Sequence, residues 1–279
     1  MTKKESHPPP HLRKNGRYVI LAAMKIFRRF TICLLAGLAT ALPAQEAERL
    51  TAAELLANCR EGMPLNDVTL SGRLIVRKPR GFIKSENKFA LSIDTGSDPA
   101  LATCVLYDAK GESIVERVVM TRPRDGEAII KRFSGNPLQE QEPPSLGSRV
   151  MGTDLLWLDL TLDFLWWPNA AYDTNPRTDR RVLGRACEVV IAPPPKPIPG
   201  CSGVRMWIDK QTGFLMKAEK LGMKGETLRY FWVQKVKEFE KDTWMIRLIK
   251  AEAEGSQYQT QLLVDALDGE VFEDAADAE

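Results

Sequence analysis

Histidine is nearly missing from this sequence. Of 279 residues only His7 and His11 carry an imidazole. Beyond residue 11 the usual general base near neutral pH and the commonest metal ligand are therefore absent. There is no GxSxG elbow, no HExxH pair, no possible Cys–His pair in the later chain and no glycine-rich phosphate loop. These absences argue against an enzyme, a metal site and a bound cofactor. Long hydrophobic runs are missing too: the apolar stretch Phe30–Leu42 covers 13 residues, short of the roughly 20 that a membrane-spanning helix needs.

An excess of basic charge is also lacking. The chain holds 39 Lys and Arg against 37 Asp and Glu, but eight of the basic residues and one of the acids lie in residues 1–44, which leaves 31 against 36. A net charge near −5 argues against nucleic acid as a partner. Residues 1–44 are set aside for a second reason. From Met24 the sequence reads MKIFRRFTICLLAGLATALPAQ. Lys25, Arg28 and Arg29 form a basic start, Phe30–Leu42 an apolar core, and Leu42-Pro43-Ala44 a small-residue exit, the layout of a secretory signal peptide. The polar, proline-rich residues ahead of Met24 are out of place before such a signal, so Met24 is the expected true start. The expected location is the periplasm, with an N-terminal membrane anchor as the alternative. No cysteine stands at the exit of the apolar core, since Cys33 lies within it, so a lipid-modified N-terminus is not supported.

Four cysteines remain: Cys59, Cys104, Cys187 and Cys201. An even number in an exported protein permits disulfides. Cys187 and Cys201 flank a proline-rich loop between two strand-like runs and are the expected pair.

The exported part opens with a helix, LTAAELLANCREGMP. Thr51 is its expected N-cap and Glu54, three residues on, has the capping-box spacing. Leu50, Leu55, Leu56 and Cys59 form its apolar stripe, and Pro64 ends it. The period then changes from helical to alternating. DVTLSGRLIVRK, NKFALSID, CVLYD, ESIVERVVMTR and EAIIKRF are short strand-like runs bounded by turn residues. RRVLGRACEVVIAP begins a second series, followed by a hairpin around Lys210-Gln211-Thr212-Gly213 and by three more strands up to Leu267. No βαβ rhythm and no repeat occur. The expected fold class is mainly β with a few helices (α+β): one large, curled antiparallel sheet, in a single domain over residues 45–268. Residues 269–279 are expected to form an acidic tail.

Between the two series lies MGTDLLWLDLTLDFLWWP (151–168). As a helix from Leu155 to Trp167, it would place Asp159 and Asp163 one turn apart on a narrow strip and apolar residues almost everywhere else. Thr153 or Asp154 would cap it, and Pro168 would stop it. Leu156, Leu158, Leu160, Leu162 and Phe164 also alternate as a strand would. Leucine favours helix, however, and the run lacks Val and Ile, so a helix is the expectation. With so little polar face it must be sandwiched in core or cover a cavity. Its acids read as a cap and a wet edge, so that Asp159→Asn should matter little.

Several of these residues resemble a known family. Met151-Gly152-Thr153-Asp154, followed by an apolar stretch with Asp159-Leu160, resembles the "G-S/T-D-aromatic…D-L" element of the outer-membrane lipoprotein-sorting proteins. Gly184-Arg185-Ala186-Cys187-Glu188-Val189 and the run from Val204 through Trp207-Ile208-Asp209-Lys210-Gln211-Thr212-Gly213 to Glu219 resemble that family's "G-R…" and "W-I-D-K-x-T-G…K-x-E". The segment from Asp242 to Thr260 resembles its closing strands. The resemblance spans about residues 50–265, and it rests on the order and spacing of these motifs. The doubled Trp166-Trp167 and the proline-rich 193–199 loop depart from the pattern. The resemblance implies an incomplete antiparallel β-barrel with helices over its mouth, enclosing an apolar cavity for acyl chains. On that basis Leu155, Leu156, Trp157, Leu160, Phe164, Trp166 and Trp167 are the candidate cavity residues. The implied function is transfer of lipoproteins or lipids to the outer membrane. Its partners would be lipid-modified proteins or lipids, with an inner-membrane release complex or an outer-membrane receptor, and the carrier would act as a monomer. The alternative is an envelope sensor of the same fold that binds a protein partner without transport.

Overall fold

Alternating sequence becomes strand over most of the chain. The computed structural model describes residues 49–62, 67–79, 81–123, 127–240 and 243–272. The signal-peptide and Met24 readings, and Pro64, lie outside these residues. Helix α1 (Ala52–Glu61) begins as its sequence specifies. Thr51 Oγ1 accepts from the Glu54 N–H at 3.2 Å, and Glu54 Oε2 accepts from the Thr51 N–H at 2.8 Å. This reciprocal box satisfies two backbone donors that a helix start otherwise leaves open. Leu56 and Cys59 are buried, whereas Leu50 is exposed.

A first meander comprises β1 (Val68–Arg77), β2 (Ile83–Asp94), β3 (Ala100–Tyr107), β4 (Ile114–Arg122), β5 (Ile129–Ser134) and β6 (Gln139–Gln141). The 151–168 segment follows, with helix α2 (Trp157–Thr161) inside it. A second meander comprises β7 (Ala171–Tyr172), β8 (Arg181–Val182), β9 (Arg185–Ala192), β10 (Gly203–Asp209), β11 (Leu215–Leu221), β12 (Thr227–Glu240), β13 (Thr243–Ala253), β14 (Gln259–Leu267) and β15 (Glu270–Val271). All pairings are antiparallel, in the order β6-β5-β4-β3-β2-β1-β14-β13-β12-β11-β10-β9-β7, with β8 against β9 and β15 against β14. The mainly-β, antiparallel expectation holds. Among the described residues the sheet ends at β6 and β7, which do not pair with each other, so it is open rather than closed on itself.

The seam between the meanders is β1 on β14, where the first long strand meets the last. Its register slips between Ser71 and Gly72. A Cβ at Gly72 would stand 2.0 Å from the Leu263 carbonyl oxygen and 2.9 Å from the Val264 Cα, so only glycine allows this approach.

The main core lies between one face of the sheet and the segment that crosses it. It contains Leu56 of α1, Leu74, Phe89 and Leu106 of the first meander, Met206, Ile208 and Phe231 of the second, and Leu158, Phe164 and Leu165 of the crossing segment. A smaller cluster of Val182, Cys187, Val189, Trp207, Met216 and Val233 forms separately. Trp207 and Val189 are cross-strand partners there, and the Trp207 indole N–H donates to the Asp179 carbonyl at 2.7 Å. Val189 and Val190 are both fully buried but in different clusters, which is why β9 is apolar on both faces.

Three expectations are corrected. Cys187 and Cys201 do not bond: both are free, as are Cys59 and Cys104. Cys187 pairs with Asp209 at the open end of the β9–β10 hairpin, whereas Cys201 sits at its loop end, beyond the Ala192–Val204 rung. Five residues of strand separate Cys187 from Ala192, roughly 17 Å at about 3.3 Å per residue. A disulfide needs Cα atoms about 4.4–6.8 Å apart. The acidic tail also starts later than residue 269, because β15 pairs with β14 and Phe272 is buried. Finally, residues 155–167 are not one helix. Leu162 adopts a left-handed conformation (φ 49°), after which residues 163–166 turn as 3-10 helix.

Candidate functional site

The crossing segment is short of helix because side chains along it are committed elsewhere. Its entry, around residues 146–158, is a backbone clip: the Val150 N–H donates to Leu155 O at 2.9 Å, Trp157 N–H to Ser148 O at 3.1 Å, and Leu158 N–H to Leu146 O at 2.9 Å. Thr153 Oγ1 accepts from the Leu155 N–H at 3.2 Å, while Asp154, expected as a cap, is buried and paired with Arg149 at 3.2 Å. Its backbone N–H donates to Thr260 Oγ1 at 2.8 Å, which pins the segment to β14. Asp159 is buried, not a wet edge. It accepts from the Leu156 N–H at 2.6 Å and forms a two-pronged ion pair with Arg229 of β12, with Nη1 at 3.0 Å from Oδ1 and Nη2 on Oδ2. The Arg229 Nε donates to the Asp154 carbonyl. Burial pulls the Arg229 guanidinium well below its ordinary range, opposed by the nearby Asp154 carboxylate. Arg229 thus anchors the segment's first half from beneath.

The second half is held by a different cation. Asp163 accepts from Arg122 Nη2 and, at 2.9 Å, from the Trp167 indole N–H. Phe164 packs edge-on to Trp167 (centroids 6.5 Å) and against Phe231 (6.3 Å). Trp166 alone of the tryptophans here turns outward, 38% exposed, with Arg122 over its ring at 4.2 Å and Arg60 of α1 at 5.5 Å.

Beneath this half lies a cavity of about 540 Å³, within the range of small-molecule sites. The larger part of its wall is apolar, from Leu91 and Ile93 of β2, Ala102 of β3, Met120 of β4, and Leu160 and Leu162 of the segment, while Thr95, Ser97 and Thr161 add polar groups. The register places Ile93 beside Ala102 and Ala102 beside Met120, so one cross-strand row forms the floor. Arg60, Arg122 and Trp166 also line it, together with Glu61 and Asp98. A second void of about 10 Å³, bounded only by apolar side chains, lies deeper and shares Leu91 and Leu160 with the first.

Of the seven candidates, Leu160 and Trp166 line the cavity. Leu155, Leu156, Trp157, Phe164 and Trp167 are buried in the main core. The sequence reading missed Met120, Arg122, Ile93 and Arg60. Alternation in ESIVERVVMTR does put Val118, Met120 and Arg122 on one face; which face points inward depends on register.

Compared by sequence, the chain matches no protein-family model and no curated protein. Compared by structure, it is similar to a putative outer membrane lipoprotein-sorting protein domain from Vibrio parahaemolyticus, at TM-score 0.62 and 13% identity, over 80% of this chain and 94% of that one. It is also similar to a DUF1329 family protein from Desulfovibrio piger, at TM-score 0.60 and 14% identity, over 77% and 90%. A third likeness is a LolA superfamily protein from Nitrosomonas europaea, at TM-score 0.50 and 14% identity, over 78% and 93%. The order of strands, the crossing segment over one face of the sheet and these likenesses together give the chain the fold of the LolA superfamily and the outer-membrane lipoprotein-sorting proteins.

Proposed function

We propose that this protein is a non-catalytic carrier of the bacterial envelope that holds an acyl chain in the cavity under Leu160 and Trp166 and hands lipid or lipid-modified protein towards the outer membrane. The observation that supports it is the cavity itself, about 540 Å³ with an apolar floor and a covering segment. An acyl chain offers methylenes, each worth about 0.8 kcal/mol when buried, so a greasy wall suits it better than convergent polar groups. The fold likeness to lipoprotein-sorting proteins points the same way, as does the signal-peptide layout of residues 24–44. The cover contributes through its two unequal halves. Core packing and Arg229 hold residues 154–159, while Leu160, Thr161, Leu162 and Trp166 line the cavity.

Gentle purification from the cell envelope followed by lipid mass spectrometry tests the reading. Acyl species should co-purify, and the emptied protein should take up a hydrophobic fluorescent probe. A protein that emerges lipid-free, takes up no probe, and forms a stable complex with a membrane-anchored regulator would instead be a sensor.

A further inference from the structure

We infer that the cavity is built for a single-chain amphiphile with an anionic oxygen head group, the head held by Arg60 and Arg122 and the tail lying along Met120, Ala102 and Ile93 towards Leu160. This inference rests on the acyl-chain reading and narrows its substrate class. Two observations carry it.

The first is capacity. A cavity of about 540 Å³ lies within the roughly 300–1,000 Å³ of sites that take a single drug-sized molecule, the scale of one acyl chain. A separate void of about 10 Å³ with no polar surface adjoins it at the shared side chains Leu91 and Leu160.

The second is a cation with hydrogen-bonding capacity to spare. Arg122 is 7% exposed and lines the cavity. Its Nη2 serves Asp163, but its buried Nε has no hydrogen-bond partner. A buried donor left open is costly, and an anionic oxygen is the group that would satisfy it most strongly. Arg60 faces the same mouth and donates one Nη1 bond to the Leu165 carbonyl, which leaves its other donors available. Trp166, stacked against both guanidiniums, covers Arg122 and is the side chain an arriving head group must move. Three carboxylates share the neighbourhood. Asp163 is already engaged by Arg122 and Trp167, and Glu61 and Asp98 are exposed, where water screens them far more than it screens a buried arginine.

The test uses emptied full-length protein and five ligands: palmitate, a single-chain lysophosphatidylglycerol, two-chain phosphatidic acid, the neutral hexadecanol, and inorganic phosphate. Affinities come from displacement of a hydrophobic fluorescent probe. Palmitate, the lysophospholipid or both should bind at least about tenfold more tightly than hexadecanol, at one chain per protein. Preference between the two anions identifies a carboxylate or a phosphate head. Arg122→Gln and Arg60→Gln should each bring the anion-to-alcohol ratio towards one, and Arg122→Lys should retain part of it. Should Arg122→Gln fail to fold, Arg60→Gln and the wild-type comparison decide the matter. Hexadecanol binding as tightly as the anions overturns the head-group assignment but leaves acyl binding standing. Equal binding of two-chain phosphatidic acid overturns the single-chain assignment. Phosphate binding as tightly as the amphiphiles overturns the role of the tail, and no binding by any amphiphile overturns the carrier reading itself.

Discussion

Replacing Asp159 with asparagine removes one charge and almost no volume, yet it should be among the most damaging single changes in the chain. Asp159 and Arg229 both have side chains about 7% exposed. The carboxylate is shared between Arg229 and the Leu156 N–H. Asparagine keeps an oxygen for Leu156 but leaves a guanidinium buried without its counter-charge. Breaking a buried pair from one side costs about 3–5 kcal/mol. For a domain of this size each kcal/mol moves the midpoint by about 2–4 °C, so a fall of roughly 6–20 °C is expected in thermal unfolding followed by circular dichroism. The double variant Asp159→Leu with Arg229→Met removes both charges and should recover most of the loss, since apolar replacement of a whole buried pair is often neutral. A fall of less than about 3 °C for Asp159→Asn would mean that the acid is solvated at an edge after all. A double variant no better than the single would show that the charge is not the cause.

Four further outcomes follow from other parts of the fold. Gly72→Ala forces a Cβ against the Leu263 carbonyl and should cost about 1–3 kcal/mol or more in urea unfolding; an unchanged urea midpoint contradicts the described seam. Met120→Trp should fill the cavity and lower hydrophobic-probe uptake severalfold with little change in the midpoint, whereas undiminished uptake would move the binding site elsewhere. Cys59, Cys104, Cys187 and Cys201 should all react with a thiol reagent after unfolding without reductant; intact mass showing two of them unreactive would restore a disulfide. Burial pushes the Asp209 carboxyl up, but the Gln211 N–H, the Thr212 hydroxyl and Arg185 outweigh it and leave it below the ordinary aspartate value. The folded state then holds this proton less readily than the unfolded chain. The resulting stability is full above about pH 4 and lost as pH falls through the folded value. Asp209→Asn should therefore flatten the acid limb of urea midpoints against pH, and an unchanged limb would refute that role.

The sequence by itself determined the elements whose causes are local. Thr51 and Glu54 specify the start of α1 because a capping box involves only four consecutive residues. Alternating apolar residues specify two antiparallel series, because a pleated strand buries every second side chain. Glycine in Lys210-Gln211-Thr212-Gly213 marks a hairpin, since Gly213 takes a positive φ of 74°.

Tertiary structure decided what depends on partners far along the chain. Asp159 looked like a wet edge because its counter-charge, Arg229, lies 70 residues away on β12. The segment 155–167 had helical spacing, but Asp163 bonds to Arg122 and Trp167 while Phe164 packs on Phe231, and the chain turns at Leu162 with these groups in place. Cys187 and Cys201 are close in sequence yet stand at opposite ends of one hairpin, because the register that separates them is set by β9 and β10 together. The cavity is the same case. Met120, Ala102, Ile93 and Leu160 come from four separate stretches, and only strand register and the path of the crossing segment bring them to one wall. Periodicity could mark each as apolar, but it could not say which face would be inside.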